Sequence, residues 1–375
     1  MSSSKDVLKQ EPSIWQRLHI DPVLLLLLLL LTSGGLFVLY SASGRSVDIM
    51  TRQIIYLGIG FVVMIVFGQI PPRMYARWSL PVFLLGILLL VGVLLFGVGA
   101  MGAQRWLAVP GMSSVRFQPS ELMKLVMPMV IAWFISRSTL PPKIRHVMVA
   151  LALIAIPVAL IAKQPDLGTS LLIAASGVFV LFLGGLSWQL IGSAVVLAIP
   201  SGWAMWHFVM REYQKKRVLT FLDPESDRLG AGWNITQSKV AIGSGGIHGK
   251  GWMLGTQSHL DFLPESHTDF IIAVLAEEFG LTGVMCLLLI YLAIIVRGLF
   301  ISVQAQTIFG RLLSGSIILT FFVYIFVNIG MVSGLLPVVG VPLPLVSRGG
   351  TSIVTLMAGF GIMMSVYTHR NLIGR

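Results

Sequence analysis

The stretch SHLDFLPESHTDF, residues 258–270, gathers Asp261, Glu265 and Asp269 with His259 and His267 directly before a long apolar run. An ionised carboxylate at a water–lipid boundary is placed to take a proton from a hydroxyl, which is the work of a general base. The spacing has a second reading. Ser266 stands three residues before Asp269 at the head of a helix, the pattern of a capping box, with Pro264 marking the turn into it. Both roles keep the Asp269 carboxylate ionised, so base and cap stay open together. Further along the run, Glu277 and Glu278 lie roughly 12 Å deeper at 1.5 Å per residue. An acid at mid-bilayer costs about 2.5–3.5 kcal/mol on insertion scales, so this pair must face protein or water, and structural pairing is expected of it.

Three other stretches hold polar groups of this kind. Residues 102–126, GAQRWLAVPGMSSVRFQPSELMKLV, offer Arg105 and Trp106 in a loop, then Gln118, a helix-opening Pro119, Glu121 and Lys124. Glu121 and Lys124 are three apart and share one face, where an ion pair lowers the cost of holding both near hydrocarbon. A structural bridge and a substrate contact fit them equally, and Trp106 also suits an interfacial anchor. KQPDLGTS, residues 163–170, is a tight turn in which Asp166 either caps the next helix or faces a ligand. AIGSGGIHGKGWMLG, residues 241–255, surrounds Lys250 with glycines, but Ser244 and Gly251 occupy the first and last positions of a Walker pattern and exclude it. Backbone amides can still approach an anion there, so phosphate oxygens beside Lys250 compete with a merely flexible loop. His259 and His267 are eight apart and form no metal-ligand spacing. A loosely held Mg²⁺ at a diphosphate needs only one or two carboxylates and fits the sequence.

The elements that carry these groups follow from hydropathy. Of 375 residues, 56% are hydrophobic and 11% charged, whereas a soluble domain is about a quarter charged. Apolar stretches of about 20 residues, each able to cross a hydrocarbon core, recur along the chain. They predict ten spans near 22–41, 53–70, 80–99, 119–135, 146–163, 169–185, 189–207, 269–296, 312–334 and 347–367. The fold expected is an all-α polytopic membrane protein of about ten transmembrane helices. The first run is too long for a signal-peptide core and reads as a permanent helix. An even number of spans places both termini on one face, whose short segments are the richer in Lys and Arg, so both termini are expected to be cytoplasmic. The organisation is then a tail at 1–21, helices 1–7 within 22–207, a large extracytoplasmic loop at 208–268, helices 8–10 within 269–367, and a tail at 368–375. A loop so long and so rich in titratable groups is functional more often than idle. The net charge of +11 is spread through short loops with no basic stripe, which excludes nucleic acid as the partner. No internal repeat is evident, against the common two-halved transporter plan. Cys286, the sole cysteine, lies in an apolar segment and reads as packing.

The segment NIGMVSGLLPVVGVPLPLVSRGGTS, residues 328–352, closely resembles the signature of the SEDS family, which comprises RodA, FtsW and SpoVE. GAQRWL…RFQPSELMK, QPDLGTS, FLDPESDRLGAGWNITQSKVAIGSGG and LPESHTDFIIAVLAEEFG resemble it too, in order and over nearly the whole chain, most like the cell-elongation members. The resemblance implies a peptidoglycan glycosyltransferase of the bacterial cytoplasmic (inner) membrane. It would polymerise lipid II into a growing glycan strand on the periplasmic face, beside a class B penicillin-binding protein and the elongation machinery. It places the family's essential aspartate on Asp269, and Arg105, Trp106, Gln118, Glu121, Lys124, Asp166, Lys239 and Ser347 on other motif positions. Transfer needs a base for the incoming hydroxyl and cations for the departing lipid diphosphate. Asp269 is expected to be the first, and Arg105, Lys239 and Lys250 the second. No tightly bound cofactor is expected, with room for a divalent cation such as Mg²⁺ or Mn²⁺. A hydrophobic groove among the spans should take the prenyl tail. One departure stands out: Ser347-Arg348-Gly349-Gly350 replaces the family's Ser-Tyr-Gly-Gly, which leaves the role of that tyrosine without a bearer. A lipid II flippase, or a noncatalytic scaffold for a transpeptidase, is the alternative.

Overall fold

A computed structural model describes residues 18–100, 103–109, 112–210, 212–223, 231–256 and 266–369. The polar stretch at 258–265, with His259, Asp261, Pro264 and Glu265, lies outside them. Among the described residues are ten apolar helices: α1 Pro22–Ala42, α2 Val47–Gln69, α3 Pro72–Phe96, α4 Pro119–Ser136, α5 Ile144–Lys163, α6 Leu167–Leu183, α7 Trp188–Ala204, α10 Ile271–Val303, α11 Ile308–Val332 and α12 Gly350–Thr368. Eight are long and apolar enough to span a membrane; α6 is shorter, and a π-helical turn, Met205–Val209, extends α7. Two helices of the large loop, α8 Glu212–Leu222 and α9 Ala231–Gly245, lie between α7 and α10.

Local chemistry sets the starts of the spans. Proline opens α1, α3 and α4 at a position where no amide partner is needed. Asp21 caps α1 by accepting from the Leu24 amide at 2.7 Å, and its buried carboxylate also takes the Arg297 guanidinium near the end of α10. The other face of the bundle closes similarly, where Asp166 caps α6 through the Thr169 amide at 3.2 Å. Glycines bring α2 and α12 into close register: a Cβ at Gly361 would stand 2.4 Å from the Met64 carbonyl oxygen. Small residues allow such approach where bulk hydrophobicity cannot drive helix association. His19, before α1, and His369, after α12, meet on one face, their rings stacked at 3.8 Å.

Two features depart from the sequence reading. The connection from α3 to α4 is an antiparallel meander, β1 Val98–Ala100, β2 Ala103–Val109 and β3 Met112–Phe117, in an otherwise all-α protein. The second departure is in α10, which is not one straight span. Gly280 adopts φ +64° and ψ −160°, a conformation essentially confined to glycine, and breaks it into segments 271–279 and 281–303. Every residue from 271 to 278 is buried, so the first segment is an internal half-helix rather than a lipid-facing turn.

The glycine-rich stretch explains the break. The amides of Lys250 and Gly251 donate to the Glu277 and Glu278 carbonyls at 3.0 Å each, while those of Leu281 and Thr282 donate back to Gly246 and Ile247 at 2.9 and 3.1 Å. A Cβ at Gly249 would lie 2.2 Å from the Glu278 carbonyl oxygen, so glycine is what permits the contact. These amides satisfy an interrupted helix. They are not a cradle for an anion.

Candidate functional site

At the end of the bundle bearing the α6 N-terminus, a polar cavity of about 260 Å³ opens between β2, α4, α6, α11 and the connection from α11 to α12. Arg105, Trp106, Gln118, Glu121, Lys124 and Asp166 all face it. Strand β2 supplies the first two, and Trp106 is held in register against Val98. The α4 N-terminus supplies the next three, and the α6 cap supplies Asp166.

These side chains are knitted together. Arg105 donates from Nη2 to the Pro165 carbonyl at 2.6 Å, and its Nε stands 3.7 Å from Asp166 Oδ2. Gln118 Nε2 donates to that same oxygen at 3.4 Å. Asp166 therefore caps and also orients, since its other oxygen serves the helix. Lys124 Nζ pairs with Glu121 Oε1 at 2.7 Å and lies 5.3 Å from the centre of the Tyr324 ring. Both partners are largely buried, so the pair carries a desolvation cost that its geometry must offset. Glu121 Oε2 and the Tyr324 hydroxyl are buried without a hydrogen-bond partner among the described residues. Polar atoms left open beside a cavity await a guest or water.

Asp269 stands behind this wall. Its Oδ2 is 3.6 Å from where a Cβ on Gly340 would sit, and Gly340 lines the cavity. The helix does not start where the Ser266–Asp269 capping box would put it: the α10 N-cap is Phe270, with no side-chain bond of its own, and Ser266 donates to the Ala42 carbonyl at 3.2 Å. The main chain around Asp269 is held fast. The carbonyls of three consecutive residues are each taken by the α11–α12 region: His267 by the Arg348 amide at 3.0 Å, Thr268 by the Ser347 hydroxyl, and Asp269 by the Asn328 side-chain amide at 2.8 Å. Asn328 donates equally to the Val341 carbonyl at 2.8 Å, which binds the cavity wall to the same clamp.

Three residues expected at the site lie elsewhere. Ser347 is buried in the clamp, accepting from the Leu343 amide at 2.9 Å. Lys250 Nζ pairs with Glu277 Oε1 at 2.7 Å and with Thr256 Oγ1 at 2.9 Å, at the break in α10. Lys239 lies along the turn after α11, its Cε 2.2 Å from the place of a Cβ on Gly334. None of the three lines the cavity. Glu277 and Glu278 are paired as expected: Thr256 adds two bonds to Glu277, from its amide and hydroxyl, and Ser41 donates to Glu278. Sequence reasoning missed Tyr324 and Asn328, four apart on one face of an apolar helix, a polar stripe that its hydropathy hides.

Comparison with known proteins decides the lineage. Residues 21–372 match the family model FTSW_RODA_SPOVE, described as "Cell cycle protein". The chain belongs to this family. It is 54% identical to the peptidoglycan glycosyltransferase MrdB of Escherichia coli K12 over 97% of each chain. Among solved structures it resembles a chain from "Structural coordination of polymerization and crosslinking by a peptidoglycan synthase complex", with TM-score 0.81, 28% identity and coverage of 94% of this chain and 99% of that one. It also resembles the rod shape determining protein RodA of Thermus thermophilus, with TM-score 0.70, 26% identity and coverage of 94% and 98%. The family members share with this chain a polytopic membrane fold.

Proposed function

We propose that this SEDS-family chain is a peptidoglycan glycosyltransferase that polymerises lipid II during cell elongation, at the outer face of the bacterial cytoplasmic membrane. The observation that carries the reading is the polar cavity at one end of a membrane bundle, with a carboxylate clamped behind one wall and two cations on the others. The 54% identity to the peptidoglycan glycosyltransferase MrdB supports the activity.

In this mechanism Asp269 accepts the proton of the incoming sugar hydroxyl, the oxygen attacks the anomeric carbon of the donor, and the bond to the lipid diphosphate breaks with inversion. Arg105 and Lys124 face the departing diphosphate. They replace the set Arg105, Lys239 and Lys250, because the latter two lysines do not reach the cavity. A divalent ion such as Mg²⁺ or Mn²⁺ arriving with the diphosphate would find Glu121 as its carboxylate ligand, through the oxygen that has no hydrogen-bond partner among the described residues. Its contribution would be charge neutralisation of the leaving group. The sugar–phosphate bond of the donor supplies the driving force. A class B penicillin-binding protein is the proposed partner, supported by the likeness to a chain from a complex that couples polymerization with crosslinking.

The flippase alternative drew its support from Glu277 and Glu278 as titratable groups at depth. Both are tied to neighbours around a backbone break, an arrangement that favours a structural task. The deciding experiment supplies purified protein and its partner with lipid II in detergent and resolves glycan polymer on gels. Asp269→Asn should abolish polymer while preserving the melting profile and partner binding. Polymer at the normal rate from that variant would remove Asp269 as base, and isolation of a covalent sugar–enzyme adduct would remove direct displacement.

A further inference from the structure

We propose that the open N-terminus of α12 seats the diphosphate of the lipid-linked donor, an assignment that rests on the polymerase reading above. The charge balance of the polar cavity calls for it. Its charged side chains are two of each sign, and each cation already stands beside a carboxylate: Arg105 at 3.7 Å from Asp166, Lys124 at 2.7 Å from Glu121. A diphosphate is multiply anionic, so these pairs offer it no net attraction, and Asp269 as an ionised base adds repulsion. Further positive potential has to come from the main chain. Three helices point their first turns at the cavity, and two are largely spent. Helix α4 opens with Pro119, which has no N–H, and its Glu121 amide donates to the Gln118 carbonyl at 3.0 Å, while Asp166 takes the Thr169 amide of α6 at 3.2 Å. Helix α12 is open. Gly349 at its N-cap gives no side-chain bond, and the amides of Gly350, Thr351 and Ser352 meet no acceptor among the described residues. All four residues line the cavity.

The first amides of a helix, with about half an elementary charge from its dipole, favour an anion. An independent observation points to a guest at this spot. Tyr324 lines the same cavity at 3% exposure, and its hydroxyl has no hydrogen-bond partner among the described residues. It stands with Ser352 again in the narrow pocket that continues from the cavity between α4, α11 and α12. A buried hydroxyl left unpaired is costly, and a phosphate oxygen held at α12 would accept from it. The chemistry places the demand here. As the acceptor oxygen bonds to the anomeric carbon and its proton passes to Asp269, the bond from that carbon to the phosphate oxygen breaks and leaves its electron pair on the diphosphate. Fixed N–H groups meet that growing charge without having to reorganise, which is how an oxyanion hole acts.

The test measures binding of undecaprenyl diphosphate and of inorganic pyrophosphate to the full-length protein in detergent, with and without Mg²⁺, alongside Tm and polymer. Gly349→Asp sets a carboxylate where it accepts from the open amides itself. A Cβ there meets only Ser352 Cβ at 3.8 Å and Pro342 Cγ at 3.9 Å, and the φ of −173° suits any residue. The variant should hold or slightly raise the Tm, as a better cap does, yet weaken both ligands at least tenfold and lower polymer in step. A helix start with a purely structural task would move Tm and polymer in the same direction. Tyr324→Phe should weaken both ligands about tenfold at unchanged Tm, and it decides the matter where Gly349→Asp fails to fold. Normal affinity in these variants overturns the assignment. So does a loss confined to the lipid-linked ligand, which would trace the effect to the tail, and so does binding that requires Mg²⁺ and ignores both substitutions, which would give the charge to the ion. Weakened binding in both variants of a protein that makes no polymer would keep the anion seat and remove the polymerase reading. Polymer from both variants at the parent rate would remove the seat alone.

Discussion

Lys250 offers the sharpest separation between holding the fold and holding the substrate. Its ammonium is 30% exposed and sits 2.7 Å from Glu277, whose side chain is wholly buried. Lys250→Met would take the ammonium away from that carboxylate and keep the bonds from the Thr256 amide at 2.8 Å and hydroxyl at 3.0 Å. Breaking a buried ion pair costs about 3–5 kcal/mol, and the bonds kept from Thr256 place this case near 3 kcal/mol. Glu277→Gln leaves a lysine that can turn to water, at a cost of about 1–2 kcal/mol. The double variant has no charge to strand, so a coupling of about 2 kcal/mol should return. The assay is thermal unfolding in one detergent for the four proteins, with glycan polymer measured on each. Lys250→Met should lower the Tm by roughly 5 °C and activity in step, and the double variant should fall about as far as Lys250→Met alone instead of by the sum of the two losses. Additive Tm losses would refute the pairing. Loss of polymer in both Lys250 variants well beyond their loss of Tm would mean that Lys250 touches the diphosphate after all, as the glycine-rich sequence suggests.

Gly280→Ala forces a Cβ to within 2.4 Å of the Gly249 amide nitrogen in a backbone region nearly closed to other residues, and should cost about 1–3 kcal/mol from the dihedral alone, read as loss of Tm and of polymer together. Arg105→Lys keeps one charge but gives up the bond to Pro165 and the fork facing Asp166; polymer synthesis should fall about tenfold or more with Tm little changed, as gel assays would record. His19 is held below its ordinary value of 6.5, first by burial and then by the charge of His369. The unfolded chain therefore binds the proton more readily, and the contribution of His19 to stability is complete above 6.5 and fades as the pH drops through the folded value. A pH series of Tm should show this fall in the parent protein and a shallower one in His369→Asn.

Much of this architecture is written in hydropathy. Ten apolar runs became ten helices because a run long enough to cross hydrocarbon has no other way to satisfy its backbone. Boundaries moved where polar helical turns extend past the apolar window, as at the start of α2, where Val47–Gln69 begins with Asp48 and Arg52. The break at Gly280 was invisible, since a window over 269–296 averages across a single glycine. The β meander was hidden for a related reason: strands of three to seven residues carry too little period to stand out beside helices of twenty. At the site, Glu121–Lys124 was legible because its three-residue spacing is local. The Arg105–Asp166 approach joins residues 61 positions apart through two separate loops, and only the fold brings them together.

The clamp behind Asp269 shows why a signature can lose a residue and keep its task. A base on an unanchored turn would spend most of its time away from the acceptor oxygen, so a productive carboxylate needs its main chain fixed. Here the fixation uses one side-chain amide, one hydroxyl and one backbone N–H, on the carbonyls of residues 269, 268 and 267 in turn. Asn328 and Ser347 must keep their identities for this. Position 348 contributes only its amide to the clamp, which any residue except proline supplies. The arginine there, where the resemblance leads one to expect tyrosine, leaves the three bonds intact and adds a guanidinium 3.4 Å from the His267 ring. The sequence departs at the one position of the clamp where the side chain is not the part that holds, and the glycines after it, Gly349 and Gly350, remain and line the polar cavity.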